Sequence, residues 1–287
     1  MQPQILVVSD PPHRRVDLRT VGRILGVSVA DARLKMSFPA PEVLAAADPS
    51  GALDVARSLE SAGVSVAVFD ARALARLPWP ENATSIDFED SGLAARTAQG
   101  DVLVPYDTPV VAVYSKPPEG FRHRGAEAPR PQADEAEAPY GSHDAYLGGP
   151  TGPEMSESVE WMTHLDLYFP DGDGLRRLAI AEDLSDLSSL GSTAGSSNAD
   201  LMSAAVDECA RRFSDLLLDK RLENVRPRQR LIMGEAGFDI DLRKLFSFGT
   251  LLLRQVLDSI SPDLRDITQY EFGSRLAYVL SRESSQP

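Results

Sequence analysis

The sequence predicts an α+β protein. Three observations lead there. Short apolar runs end in turn residues, as buried strands do. Apolar residues elsewhere recur at helical spacing behind capping residues. A long middle stretch, poor in large aliphatic side chains, interrupts both patterns. The expected architecture is a small N-terminal α/β domain at 1–77, then a split antiparallel β barrel-like domain with a closing helix at 82–115 and 159–220. A disordered insertion at 116–158 and a C-terminal helical hairpin at 240–282 complete it.

The N-terminal elements follow in order. Residues 4–8 form an apolar run ended by Ser9, Asp10, Pro11 and Pro12, a buried strand and its turn. Leu18, Val21, Ile24 and Leu25 lie on one helix face, with Gly26 as the stop. Ser28 caps a second helix carrying Val29, Ala32 and Met36, and Pro39 and Pro41 end it. Asp48 as N-cap and Pro49 at the first position open a third helix through Leu53, Ala56 and Leu59, closed by Gly63. Residues 64–69 make a second strand, giving a β-α-α-α-β order.

The turn Leu25-Gly26-Val27-Ser28-Val29-Ala30-Asp31-Ala32-Arg33 and the final helix and strand, Ala52 to Val66, resemble the C-terminal domain of the bacterial ribosomal stalk protein over about a quarter of the chain. That family shows a strand, two helices joined by a Gly-rich turn, a Pro-containing loop, a helix and a strand. It recruits translation factors through basic residues around the turn. Arg19 and Arg33 stand where the family has lysines, Ala30 where it has another, and Ser28 replaces its second glycine. The resemblance implies the fold and makes Arg19, Arg23 and Arg33 the candidate protein-interaction residues. Their plainer alternative is a solvated helix face.

Pro78-Trp79-Pro80-Glu81-Asn82 marks a boundary. Strand-like runs at 84–89, 93–98, 101–105 and 109–114 follow, separated by tight-turn residues. Residues 116–158 hold many prolines and glycines and an acidic cluster at Asp134, Glu135 and Glu137. Such a stretch buries too little apolar surface to offset the entropy of ordering. Beyond it, 164–169 alternates, Asp171-Gly172-Asp173-Gly174 turns a hairpin, and 175–180 returns. A third short run covers 184–190, and Asn198 as N-cap opens a helix over 199–218. Four strands, an insertion, three strands and a helix weakly resemble a pleckstrin-homology-like barrel. Apolar stripes over 241–260 and 263–281, the second capped by Ser261 and Pro262, predict the αα-hairpin, which either docks on the barrel or mediates homo-oligomerisation.

Composition narrows function. Against 29 Lys and Arg stand 43 Asp and Glu, a formal charge of −14. That field repels phosphate backbones and anionic lipid, so neither nucleic acid nor a membrane is an expected partner. The first residues lack a signal-peptide pattern, and no run approaches the roughly 18 apolar residues of a membrane span, which predicts a cytoplasmic protein.

Motifs that carry chemistry are incomplete. Cys209, the one cysteine, allows neither an internal disulfide nor a cysteine-based zinc site and reads as a buried small hydrophobe. Gly191-Ser192-Thr193-Ala194-Gly195 approaches a hydrolase elbow but carries Thr at the nucleophile. Asp171 and Asp173 lack the remaining ligands of a calcium loop. His13, His123, His143 and His164 are scattered. A phosphoreceiver reading would use Asp10, Asp70 and Lys116, but three helices lie between the two acids. The expectation is therefore a non-enzymatic interaction or regulatory adaptor with a protein partner and without cofactor or metal. The alternatives are a ribosome- or translation-factor-associated protein, or a small-molecule enzyme whose site only the folded chain assembles.

Overall fold

The computed structural model describes residues 5–13, 15–37, 40–116, 163–190, 197–225 and 269–284. The protein is α+β, with two sheets. The expected insertion at 116–158 lies outside the described residues from 117 onward, as do the first C-terminal helix at 241–260 and the Gly191–Gly195 loop.

In the N-terminal unit, β1 (Ile5–Ser9) is the central strand, flanked by β2 (Glu42–Ala47) and β3 (Val66–Asp70), both antiparallel to it. Helices α1 (Leu18–Leu25), α2 (Val29–Met36) and α3 (Pro49–Ser61) belong to the core that holds Val7, Val21, Ala32, Ala52, Ala56 and Leu59. The order is thus β-α-α-β-α-β, and β2 corrects the expected β-α-α-α-β. Its sequence, Glu-Val-Leu-Ala-Ala-Ala, favours a helix by local propensity. Pairing with β1 and burial of Val43 override that preference. A short helix, α4 (Ala71–Ala75), follows β3 and leads to the Pro78–Pro80 boundary.

The second sheet contains β4 (Glu81–Phe88), β5 (Gly92–Thr97), β6 (Gly100–Pro105), β7 (Val110–Lys116), β8 (His164–Asp171), β9 (Gly174–Ala181) and β10 (Leu216–Glu223). Its order is β10-β7-β8-β9-β4-β5-β6. The hairpins are antiparallel as expected, but β4–β9 and β7–β10 are parallel. Strands β6 and β7 sit five strand spacings apart in this order, about 24 Å in a flat sheet. The chain joins them from Pro105 to Val110, a reach of about 18 Å at most. The sheet must therefore curl. At the resulting corner the Ser214 N–H donates to the Tyr106 carbonyl (2.9 Å) and the Val110 N–H to that of Asp215 (2.9 Å).

Two further expectations are corrected. The run at 184–190 is no strand: Asp186 makes one isolated bridge to Ser85, and Ser188–Leu190 is a 3₁₀ turn. The helix expected at 199–218 is α5 (Asn198–Arg212), capped by Ser197 in a reciprocal box with Asp200. Leu216, Leu217 and Leu218 instead begin β10, because parallel pairing with β7 takes their backbone groups.

Helix α5 packs in the inner core of the curled sheet, with Met202, Ala205, Val206, Cys209 and Phe213 against Leu165, Leu167, Leu178 and Ile180. The last helix, α6 (Gln269–Ser284), lies in a different core. There Leu276, Ala277, Tyr278, Val279 and Leu280 share one core with Val111, Val113 and Tyr168 of the large sheet and with Leu6, Val8, Val43 and Phe69 of the small one, the helix itself packing on β7, β10 and α4. Burying each such Leu or Val contributes about 1.5–3 kcal/mol. Helix α6 thus joins the two units. Of the two fates expected for the hairpin, docking is the one its second helix adopts. Its apolar face is occupied within the chain, so homo-oligomerisation through that face has no support. Among the described residues no helix is long and apolar enough to cross a membrane.

Candidate protein-interaction face

The three sequence-predicted arginines lie on the α1–α2 helical pair. Asp17 caps α1, accepting from the Arg19 and Thr20 N–H groups. Hydrogen bonds from Thr20, side chain first, hold its carboxyl below the usual carboxylate range. Gly26 ends α1 at φ 66°, a left-handed conformation that disfavours a side chain. Gly22 lets the chain fold back, since a Cβ there would stand 2.8 Å from the Val27 carbonyl oxygen. The Ser28–Asp31 box then starts α2.

This local geometry decides which side chains face outward. Val21, Gly22 and Ala32 are buried. Arg19 and Arg23, one turn apart on α1, and Arg33 on α2 are exposed. Beside them on α2, Val29 is 45% and Leu34 55% exposed. Among the described residues none of the three arginines forms an ion pair closer than 4 Å. The electrostatic setting is local. Residues 1–77 hold nine Lys and Arg against eight Asp and Glu, so the −14 of the chain resides beyond them.

The sequence did not reveal a second set of charged residues, buried between the large sheet and α6. Asp166 of β8 and Arg177 of β9 are 0% exposed. Arg177 donates to Asp166 Oδ2 (2.8 Å) and to Glu271 Oε1 of α6 (2.7 Å), and Tyr270 and Ser274 also donate to Asp166. Burial disfavours the Asp166 carboxylate, but the Arg177 charge and these hydrogen bonds outweigh it and hold the group below its ordinary range. Arg275 donates to Glu271 and to the carbonyls of Leu74 (2.9 Å), Leu77 (2.8 Å) and Pro78 (3.3 Å), and lies over the Trp79 ring. One guanidinium therefore ties α6 to the boundary between the units.

A third arginine ties the same parts together. A bulge at Lys220–Arg221 turns Arg221 of β10 towards Asp10 of the N-terminal unit (2.8 Å), Asp219 and Ser281 of α6. The only sequence signal for these residues is parity. Asp166 sits between the apolar Leu165 and Leu167, on a face that alternation assigns to solvent and α6 covers.

The other sequence candidates do not converge. Asp10 is held by Arg221, Asp70 caps α4 by accepting from the Arg72 N–H, and the first sheet is antiparallel, so no phosphoreceiver site is assembled. Asp171 pairs with Arg176, itself bidentate to Glu81. Cys209 is buried, which pushes its thiol up to about 12 and away from reactivity. Among the described residues no cluster of His, Cys, Asp or Glu is arranged to hold a metal. A shallow cleft of about 400 Å³ between the units is lined by Pro11, Pro12, His13, Met36, Lys220 and Glu223. Burial lowers the His13 pKa, and its Nδ1 accepts from the Ser65 N–H (3.3 Å). No family model matches the chain, nor does any curated protein or solved structure.

Proposed function

We propose that this is a non-enzymatic, cytoplasmic interaction protein that docks an acidic surface of a protein partner on the α1–α2 face. The observation that carries this reading is the placement of Arg19, Arg23 and Arg33. They are exposed, without ion pairs among the described residues, beside the exposed apolar Val29 and Leu34. A guanidinium beside apolar side chains suits recognition of a carboxylate-bearing protein surface. The curled sheet and α6 then serve as the rigid body that presents this face.

The test is affinity capture from the native host, comparing the wild-type chain with Arg19→Ala/Arg23→Ala/Arg33→Ala. The reading expects a stoichiometric partner that the triple variant and high salt both lose. A partner retained equally by both chains would overturn the assignment of this face.

One observation favours a narrower version. Arg19 and Arg33 flank the Gly26-Val27-Ser28 turn, in the positions where the stalk-protein resemblance places lysines. On this version the partner is a translation factor or the ribosome, and the protein co-sediments with one of them at low salt. An enzymatic role would instead require chemistry at the cleft between the units. Turnover that survives loss of the three arginines and is abolished by His13→Ala would favour it.

A further inference from the structure

The buried polar seam beneath α6 ends at His164, the first residue of β8, which the proposed function does not use. Its ring stacks on that of Tyr270, in the first turn of α6, with centroids 4.1 Å apart and planes 23° from parallel. Tyr270 is in turn fixed by the hydrogen bond from its hydroxyl to Asp166. The N-terminal end of α6 is thus held by one aromatic stack together with the Asp166–Arg177–Glu271 ion network. Because α6 packs on β7 and β10 of the large sheet and on α4 of the N-terminal unit, whatever loosens it loosens the contact between the units.

We propose that His164 is a proton-operated latch on α6: a neutral imidazole keeps the helix seated through Tyr270, and protonation unseats its first turns and with them the joint between the two units.

The groups around His164, among the described residues, come from every element near it. Asp166 shares its strand and face, and Glu182 and Asp183 follow β9. Arg177 is on β9, and Tyr270 covers the ring from α6. Ser115 of β7 is its cross-strand partner, with a buried hydroxyl that has no hydrogen bond among the described residues. The three carboxylates favour the charged imidazole, whereas burial and the Arg177 charge oppose it. Burial is the larger influence, and the pKa is lowered. The sign follows. The unfolded chain binds a proton at His164 more readily than the folded one. Stability is full above the ordinary histidine pKa near 6.5 and falls as pH drops from there to the folded value. The Oδ1 of Asp166, which has no hydrogen-bond partner among the described residues, also gives an imidazolium an acceptor to turn towards, which would take the ring off Tyr270.

The experiment uses the full chain. Opening of the α6 amides is followed by hydrogen exchange, corrected for the intrinsic pH dependence, and the His164 ring is titrated by NMR. Between about pH 7 and about pH 5 the opening constant at Leu276–Leu280 is expected to rise about tenfold, while the α5 amides stay protected. His164→Phe, which keeps a ring on Tyr270 and cannot titrate, should remove that rise. A His164 pKa at or above 6.5, an α6 response no larger than that of α5, or an unchanged rise in His164→Phe would each overturn the latch. The wild-type titration and the α6-to-α5 comparison need no variant, so the proposal stays testable should the substitution fail to fold.

Discussion

Two sets of three arginines divide this molecule. Arg19, Arg23 and Arg33 project from the α1–α2 pair into solvent, without ion pairs among the described residues. Arg177, Arg275 and Arg221 join strands, α6 and the boundary segment, each with two or more partners. The chemistry of the side chain is the same and the consequences are opposite. A buried guanidinium surrounded by carboxylates and carbonyls is committed to the fold, and removing it strands its partners. An exposed one is free to meet another molecule, and removing it costs the fold little. Buried charge is a poor source of net stability compared with well-packed hydrophobes. Its contribution here is geometric, since it specifies how α6 seats across two sheets.

Substitutions that exchange these consequences would break the comparison. The largest effect is expected from Arg177→Met, which leaves Asp166 and Glu271 buried without their shared cation. It should cost about 3–5 kcal/mol of stability, read by urea unfolding. A cost under about 1 kcal/mol would show that the seam is not closed to water. The companion double change, Asp166→Leu and Arg177→Met, which leaves Glu271 paired with Arg275, should recover most of that loss if the network serves geometry more than stability. Arg275→Ala comes next, at about 2–3 kcal/mol, because the carbonyls of Leu74, Leu77 and Pro78 lose a charged donor.

Acid should reproduce part of the Arg177 effect. The Asp166 carboxyl is held below its ordinary range, so its contribution is complete above that range and disappears as pH falls through the folded value. In Arg177→Met that acid loss should shrink or reverse, because burial without the cation raises the Asp166 carboxyl, which unfolding curves collected across acid pH would show. Ser197→Ala removes the α5 cap, the acceptor for the Asp200 N–H, at a cost of about 1 kcal/mol and without effect on partner binding. Smallest in stability is Arg19→Ala/Arg23→Ala/Arg33→Ala. It should stay within about 0.5 kcal/mol of wild type in total in the same unfolding assay.

Much of the fold was legible because it is written in local chemistry. Asp48 with Pro49, Ser28 ahead of Val29, and Gly26 after Leu25 mark helix ends wherever they occur, and the structure uses all three. Strand β2 was not legible, since three consecutive alanines favour a helix until β1 pairs with them. The division between α5 and β10 was missed for a related reason: Phe213 and Leu216 continue the helical stripe in sequence, whereas β7 captures the backbone from Leu216. The buried seam was hidden by distance along the chain. Arg177 and Glu271 are 94 residues apart, and the alternation that placed Leu165 and Leu167 inside left Asp166 outside. Conversely, the exposed arginines were identified from the sequence, but their lack of ion pairs emerges only from the folded chain.

Binding measured on both sets of arginines tests the division most directly. Once a partner has been captured, its affinity is compared for wild type, Arg19→Ala/Arg23→Ala/Arg33→Ala and Arg275→Ala, at a temperature where all three are folded. The account predicts that the surface triple variant loses at least about tenfold in affinity, about 1.4 kcal/mol, while Arg275→Ala binds as wild type does. The opposite pattern, with affinity kept by the triple variant and lost in Arg275→Ala, would move the interaction to the joint between the units and contradict it.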